Sequence, residues 1–112
     1  MLRRILGAMP DPTAVPDPTV VDAPEHHRFE ALALDGTVLG VAAYRRRPGV
    51  VVFTHTEVDA AYERQGIGST LVTAALDAVR AAGERIVPLC PFVRQYVADH
   101  PEYADLVTTD AG

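Results

Sequence analysis

The stretch Glu63-Arg64-Gln65-Gly66-Ile67-Gly68-Ser69-Thr70-Leu71 carries the strongest chemical signal in the chain. Gly66 and Gly68 free a backbone to curl between a strand and a helix, so that several N–H groups point into one concavity. A helix that follows begins with N–H groups lacking intrahelical acceptors and with the positive end of its dipole. Together these make an anion site suited to a pyrophosphate, and hence to a nucleotide-like cofactor. The third glycine of a dinucleotide fingerprint and the Gly-Lys-Ser/Thr ending of a triphosphate loop are both absent, so the same residues serve equally as the capped start of a helix.

Two further groups have chemistry to offer. His55 and Glu57 lie two residues apart on a predicted strand leading toward the glycine loop, which puts them on one face. Either could relay a proton; the competing reading is a pair that faces solvent. Cys90 falls between a predicted strand and a predicted helix, where a helix N-terminus activates thiols; the competing reading is a small buried apolar residue. Adjacent His26 and His27 point in different directions and make a poor metal site, so no metal is expected.

Composition bounds the rest. The 112 residues suffice for one packed domain, and 48% hydrophobic content fits a globular protein. No apolar run reaches the length of a membrane span, and the weakly signal-like Met1–Met9 is cut short by Pro10. A net charge of −5 argues against a nucleic-acid partner. One cysteine excludes an internal disulfide and suits a reducing, cytoplasmic setting.

The elements that must position these groups follow from the pattern. Five prolines in residues 1–24 predict a flexible tail, with room for one short strand at Val20-Val21, and residues 25–112 form the domain. A strand from Arg28 turns at Asp35-Gly36 into a second, Thr37–Tyr44, and Pro48-Gly49 turns into a third from Val50 through Val58. Ile67, Leu71, Val72, Ala75, Leu76 and Val79 repeat at helical spacing, ending at Gly83. Arg85–Leu89 predicts a strand parallel to the third, and Pro91 opens a last helix to about Asp99. The order β-β-β-α-β-α describes a mixed α/β sheet with helices packed on it.

That order, with Gln65-Gly66-Ile67-Gly68 between strand and helix, resembles the GNAT superfamily of N-acetyltransferases. Phe53-Thr54-His55-Thr56-Glu57-Val58, Pro88-Leu89-Cys90-Pro91-Phe92-Val93, Tyr96 and His100-Pro101-Glu102-Tyr103 bring it close to a small, domain-only GNAT subfamily, over about residues 28–107. The resemblance implies an α+β fold with a mixed, mostly antiparallel sheet, and acetyl-CoA as cofactor. The cradle for the pyrophosphate would be Arg64, Gln65, Gly66, Ile67, Gly68 and Ser69, with the pantetheine arm pairing near Glu57, Val58 and Asp59. Glu63 departs from the Gln or Arg usual three residues before the first glycine, and Arg64 restores positive charge beside it.

The resemblance also places Tyr96 where a tyrosine protonates the CoA sulfur, although an aromatic one turn after Phe92 is equally at home in a core. Cys90, a recurring member of the subfamily motif, would contact or accept the acyl group, and His100 would cap the last helix. The implied activity is acetyl transfer to a small-molecule amine or peptide, with no membrane partner. The alternatives are a non-catalytic acyl-CoA-binding or sensing module and an interaction domain that binds no cofactor.

Overall fold

Apolar residues recurring every second position build five strands into one sheet in a computed structural model that describes residues 18–108. The side chains of Glu63, Arg64 and Gln65 lie outside the described ones. The strands are β1 (Thr19–Ala23), β2 (Arg28–Leu32), β3 (Val38–Arg47), β4 (Val50–Val58) and β5 (Arg85–Pro88), adjacent in chain order. The first four pair antiparallel and β5 runs parallel to β4. A parallel neighbour needs a crossover, which helix α1 (Ile67–Ala81) supplies; helix α2 (Pro91–Asp99) follows β5. The expected fold class is present, and β1 is the short strand expected at Val20-Val21.

That strand lies within the stretch expected to be a tail with room for one short strand. Thr19–Ala23 pairs along its whole length with β2, from Thr19 opposite Leu32 to Ala23 opposite Arg28, and Val20 packs on the core. The strand forms here because no proline lies between Pro18 and Pro24, and the β-branched run between them can donate to a ladder. The tail expectation for residues 1–17 lies outside the described residues.

Helix α1 forms for the reasons its spacing implies. Ile67, Leu71, Val72, Ala75, Leu76 and Val79 are all buried, facing Phe29, Leu39, Ala42, Tyr44, Val51 and Phe53 of the sheet. Phe29 sits edge-on to Tyr44, with ring centroids 5.4 Å apart, and Phe53 closes the cluster. The helix stops at Gly83 in a left-handed conformation (φ 73°), where Gly83 and Glu84 donate to the carbonyls of Arg80 and Val79. That double bond is a Schellman cap.

The C-terminal segment ties the outer face of α1 down. In a 3-10 turn over Pro101–Leu106, the Tyr103 hydroxyl donates to Asp77 at 2.7 Å. Arg80 grips Asp105 with two hydrogen bonds of 2.9 Å. Val107 then bridges Ile86 of β5, covering that edge. Among the described residues no helix is long and apolar enough to cross a membrane.

Leu76 has no exposed surface. Leu76→Ala is therefore expected to lower unfolding stability by about 2–5 kcal/mol in urea titration. The Asp77 carboxylate, with burial second, pushes the Tyr103 phenol up to about 12. A raised value means the neutral phenol is favoured in the fold, so its contribution is complete below the unfolded value of about 10 and disappears as pH climbs through 12. Tyr103→Phe should remove part of the stability loss between those pH values, measured as urea midpoints; an unchanged alkaline profile would exclude the assignment.

Candidate functional site

The site begins where β4 loses its neighbour. Strand β5 pairs with β4 only from Val50 to Phe53, and the Phe53 carbonyl then accepts both the Leu89 and Cys90 N–H groups at 3.0 Å. From Thr54 to Val58 the β5 side of β4 has no strand partner among the described residues. At the same place the β3–β4 register slips: Tyr44 faces Phe53 while Ala43 faces His55, so Thr54 is an extra, bulged residue.

The bulge changes which side chains point where. Val51 and Phe53 face the helices; a regular strand would continue that face through His55 and Glu57. After the bulge, Thr56 pairs with core-facing Ala42 and Val58 with Gly40, so these two take the helix side. His55 and Glu57 do share a face, with 3.3 Å between Nε2 and Oε2, but it is the opposite, open face of the sheet. Their side chains are 59% and 72% exposed.

Beyond β4 the Asp59 carboxylate accepts the Ala61 N–H at 2.9 Å and starts a 3-10 turn, Ala60–Gln65. Gly66 ends it in the left-handed region (φ 74°), and its carbonyl accepts the Thr70 N–H as α1 begins. No acidic residue stands in the first turn of α1, so nothing there competes with an anion for the dipole. Only Gly66 needs its conformational freedom. Gly68 is helical, and a Cβ there would lie 2.8 Å from Cζ at the tip of the Phe92 ring. This corrects the expectation that both glycines serve the curl.

Between the free end of β4 and the start of α1 lies a cleft of about 380 Å³, lined by Thr56, Val58, Gly66, Gly68, Ser69 and Phe92. Of the expected cofactor residues, Val58, Gly66, Gly68 and Ser69 line it. Ile67 turns its side chain into the core, leaving only its backbone for a ligand, and the side chains of Arg64 and Gln65 are outside those described. Thr56 and Phe92 were not among the expected site residues. Strand parity counted back from Val58 points to Thr56, whereas Phe92 carries no sequence signal beyond being apolar.

Cys90 sits just behind this lining. It is buried at the N-cap of α2, and its Sγ lies 3.3 Å from the Thr56 hydroxyl oxygen. Tyr96 does not reach the cleft. It is 8% exposed and its hydroxyl meets Thr73, whose own proton goes to the Ser69 carbonyl at 2.7 Å. Since Thr73 has one proton, Tyr96 is the donor between them. His100 stacks on the Tyr96 ring with centroids 3.9 Å apart, and its Nδ1 lies 2.8 Å from the Tyr96 carbonyl. That makes it a cap on α2. Among the described residues no group of three or more His, Cys, Asp or Glu side chains could hold a metal.

Comparison with known proteins agrees with this geometry. The profile of the GCN5-related N-acetyl-transferase family matches residues 28–106, which span β2 to the last 3-10 turn. No curated protein matches the chain. The solution structure of a GCN5-like putative N-acetyltransferase from Staphylococcus aureus superposes with a TM-score of 0.62 at 19% identity. The match covers 82% of this chain and 89% of that one, a likeness of fold. With strand order, helix crossover and family profile in agreement, acyl transfer is the reaction class, and the chain belongs to the GCN5-related N-acetyltransferase family.

Proposed function

We propose that the cleft binds acetyl-CoA and that the chain transfers its acetyl group to the amine of a small molecule or peptide. One observation carries this reading: an unpaired strand edge and a helix N-terminus free of acidic residues face each other across a single slender cleft. A pantetheine arm has amides that such an edge can hydrogen-bond. A pyrophosphate needs N–H groups like those of Gly66, Ile67, Gly68 and Ser69. The residues present fit the group.

When bound, acetyl-CoA supplies an activated thioester. The amine nitrogen forms a bond to the carbonyl carbon, the C–S bond breaks, the nitrogen sheds a proton and the sulfur gains one. Val58 and Phe92 give the cleft apolar walls that exclude water. The Cys90–Thr56 pair supplies a proton for the departing sulfur through the Thr56 hydroxyl at the cleft wall. An amine arriving from the open face of the sheet meets His55 and Glu57, which take its proton. Tyr96 then acts as a positioning residue that locks α2 to the first turns of α1 through Thr73. The net charge of −5 favours a cationic acceptor.

A second reading, an acyl-CoA-binding module without turnover, is favoured by the lack of any carboxylate, imidazole, amine or thiol among the residues lining the cleft. Calorimetric titration with acetyl-CoA, with ATP and NAD as controls, followed by an amine screen for thiol release, separates the readings. Selective binding with release supports the transferase; binding without release supports the module; no binding sinks both.

Gly66→Val forces a β-branched residue into the left-handed region and should weaken acetyl-CoA at least tenfold while the core of α1 remains folded by circular dichroism. Tyr96→Phe should cost about 1 kcal/mol of stability and Thr73→Val more, because it also removes the bond to the Ser69 carbonyl, with the double variant little worse than Thr73→Val alone. Turnover falling in Tyr96→Phe with affinity unchanged would instead return that hydroxyl to proton delivery.

A further inference from the structure

A coenzyme whose pyrophosphate sits at the start of α1 extends two arms from that point, one bearing the acyl group and one ending in a nucleoside. The first has the cleft beside β4. A second depression, of about 210 Å³, opens from the same point and is lined by Ser69, Phe92, Gln95, Tyr96, Asp99 and His100. Ser69 and Phe92 line the cleft as well, so the two spaces join at the first turn of α1. Phe92, Gln95 and Asp99 stand at i, i+3 and i+7 on α2 and form one stripe along this depression. Phe92 is 41% exposed, the most exposed of the three rings that line it. Gly68 lies against the ring tip, at Cζ, Cε2 and Cε1, and the rest of the ring offers a surface on which a flat aromatic partner stacks. One turn on, the Gln95 Nε2 donates to Oδ1 of Asp99 at 3.0 Å. A carboxylate only accepts, so this contact fixes which way round the amide lies. Gln95 is left with one N–H and its Oε1, a donor and an acceptor side by side.

Resting on the acetyl-CoA reading above, we propose that this depression is the nucleoside subsite: the adenine stacks on Phe92, Gln95 reads its amino-bearing edge, and Asp99 is the positioning residue that holds the Gln95 amide in the right orientation. Oε1 accepts from the exocyclic amino group, and the remaining N–H donates to the neighbouring ring nitrogen, the pair of bonds a side-chain amide makes to adenine. A 6-oxopurine presents an acceptor where adenine presents that donor. Gln95 matches it only by turning its amide over, which breaks the bond to Asp99.

The test is calorimetric titration of the full chain with acetyl-CoA, with its hypoxanthine analogue and with acetyl-4′-phosphopantetheine, which ends before the nucleoside. Phe92→Leu keeps an apolar side chain at the cleft; it should weaken acetyl-CoA about tenfold and acetyl-4′-phosphopantetheine less than twofold. Phe92→Tyr, which keeps the ring, should stay within about twofold of the unaltered protein for both. The unaltered protein should favour adenine over hypoxanthine about tenfold, and Asp99→Ala should cut that preference below about threefold without altering the affinity for acetyl-4′-phosphopantetheine. Equal losses for the long and the short ligand in Phe92→Leu would put the ring at the pantetheine arm and overturn the stacking. Indifference to the purine, or a preference that survives Asp99→Ala intact, would overturn the reading of the base by a fixed Gln95. If the unaltered protein binds acetyl-4′-phosphopantetheine as tightly as acetyl-CoA, the cofactor reading stands and the nucleoside subsite falls. If it binds neither, both fall.

Discussion

A single carbonyl governs the geometry of this protein's working end. The Phe53 oxygen accepts the N–H groups of both Leu89 and Cys90, which turns the chain out of β5 and ends the parallel pairing there. Had β5 continued along β4, the edge from Thr54 to Val58 would be zipped shut, and no ligand chain could lie against it. The same turn delivers Cys90 to the head of α2, behind Thr56, and sets Phe92 against Gly68. The bulge at Thr54 is the companion constraint. It hands the cleft to Thr56 and Val58 and moves His55 and Glu57 to the open face, so the two faces of one strand present different chemistry.

An opening in a sheet is useful only if both of its banks are rigid. The helix bank is held by six buried apolar residues of α1 on one side and by the Tyr103–Asp77 and Arg80–Asp105 contacts on the other. Most of the stabilisation comes from the apolar stripe, since exposed ion pairs contribute little individually. Their geometric effect is larger: the C-terminal segment is fastened to the outer face of α1 and to the edge of β5 at once. The Tyr96–Thr73–Ser69 chain ties α2 to the same helix two turns from its start. The turn at Gly66 is thus anchored by packing below and hydrogen bonds beside it. This is the preorganisation that a binding site built from backbone N–H groups requires.

A cleft whose lining holds no strong acid or base does not make acyl transfer implausible, because the thioester is already activated and the reaction needs no protein nucleophile. What the chain must supply is position, dryness and two proton routes. In the proposed reading those routes lie on opposite sides of β4, since Cys90 and Thr56 stand on the helix side and His55 and Glu57 on the open side. Separation of this kind lets the departing sulfur and the incoming amine be served without the two sets of groups neutralising one another.

Local sequence determined the helices, the β4–β5 crossover, the Gly83 cap and all six core residues of α1, because these depend on apolar spacing and on where Gly and Pro stand. The motif order was also enough to name the family and to place Val58, Gly66, Gly68 and Ser69 around one cleft. Tertiary structure alone decided the rest. A bulge shifts strand parity by one residue without any marker in composition, so the facing of His55 and Glu57 could not be read from alternation. Gly68 looks like a turn residue in the sequence, yet its neighbour in space is Phe92, twenty-four positions later. Likewise, Tyr96 finds Thr73 only once two helices lie side by side. Local patterns record what a segment does with its own backbone; which side chains meet across elements is settled by packing, where distance along the chain has no bearing.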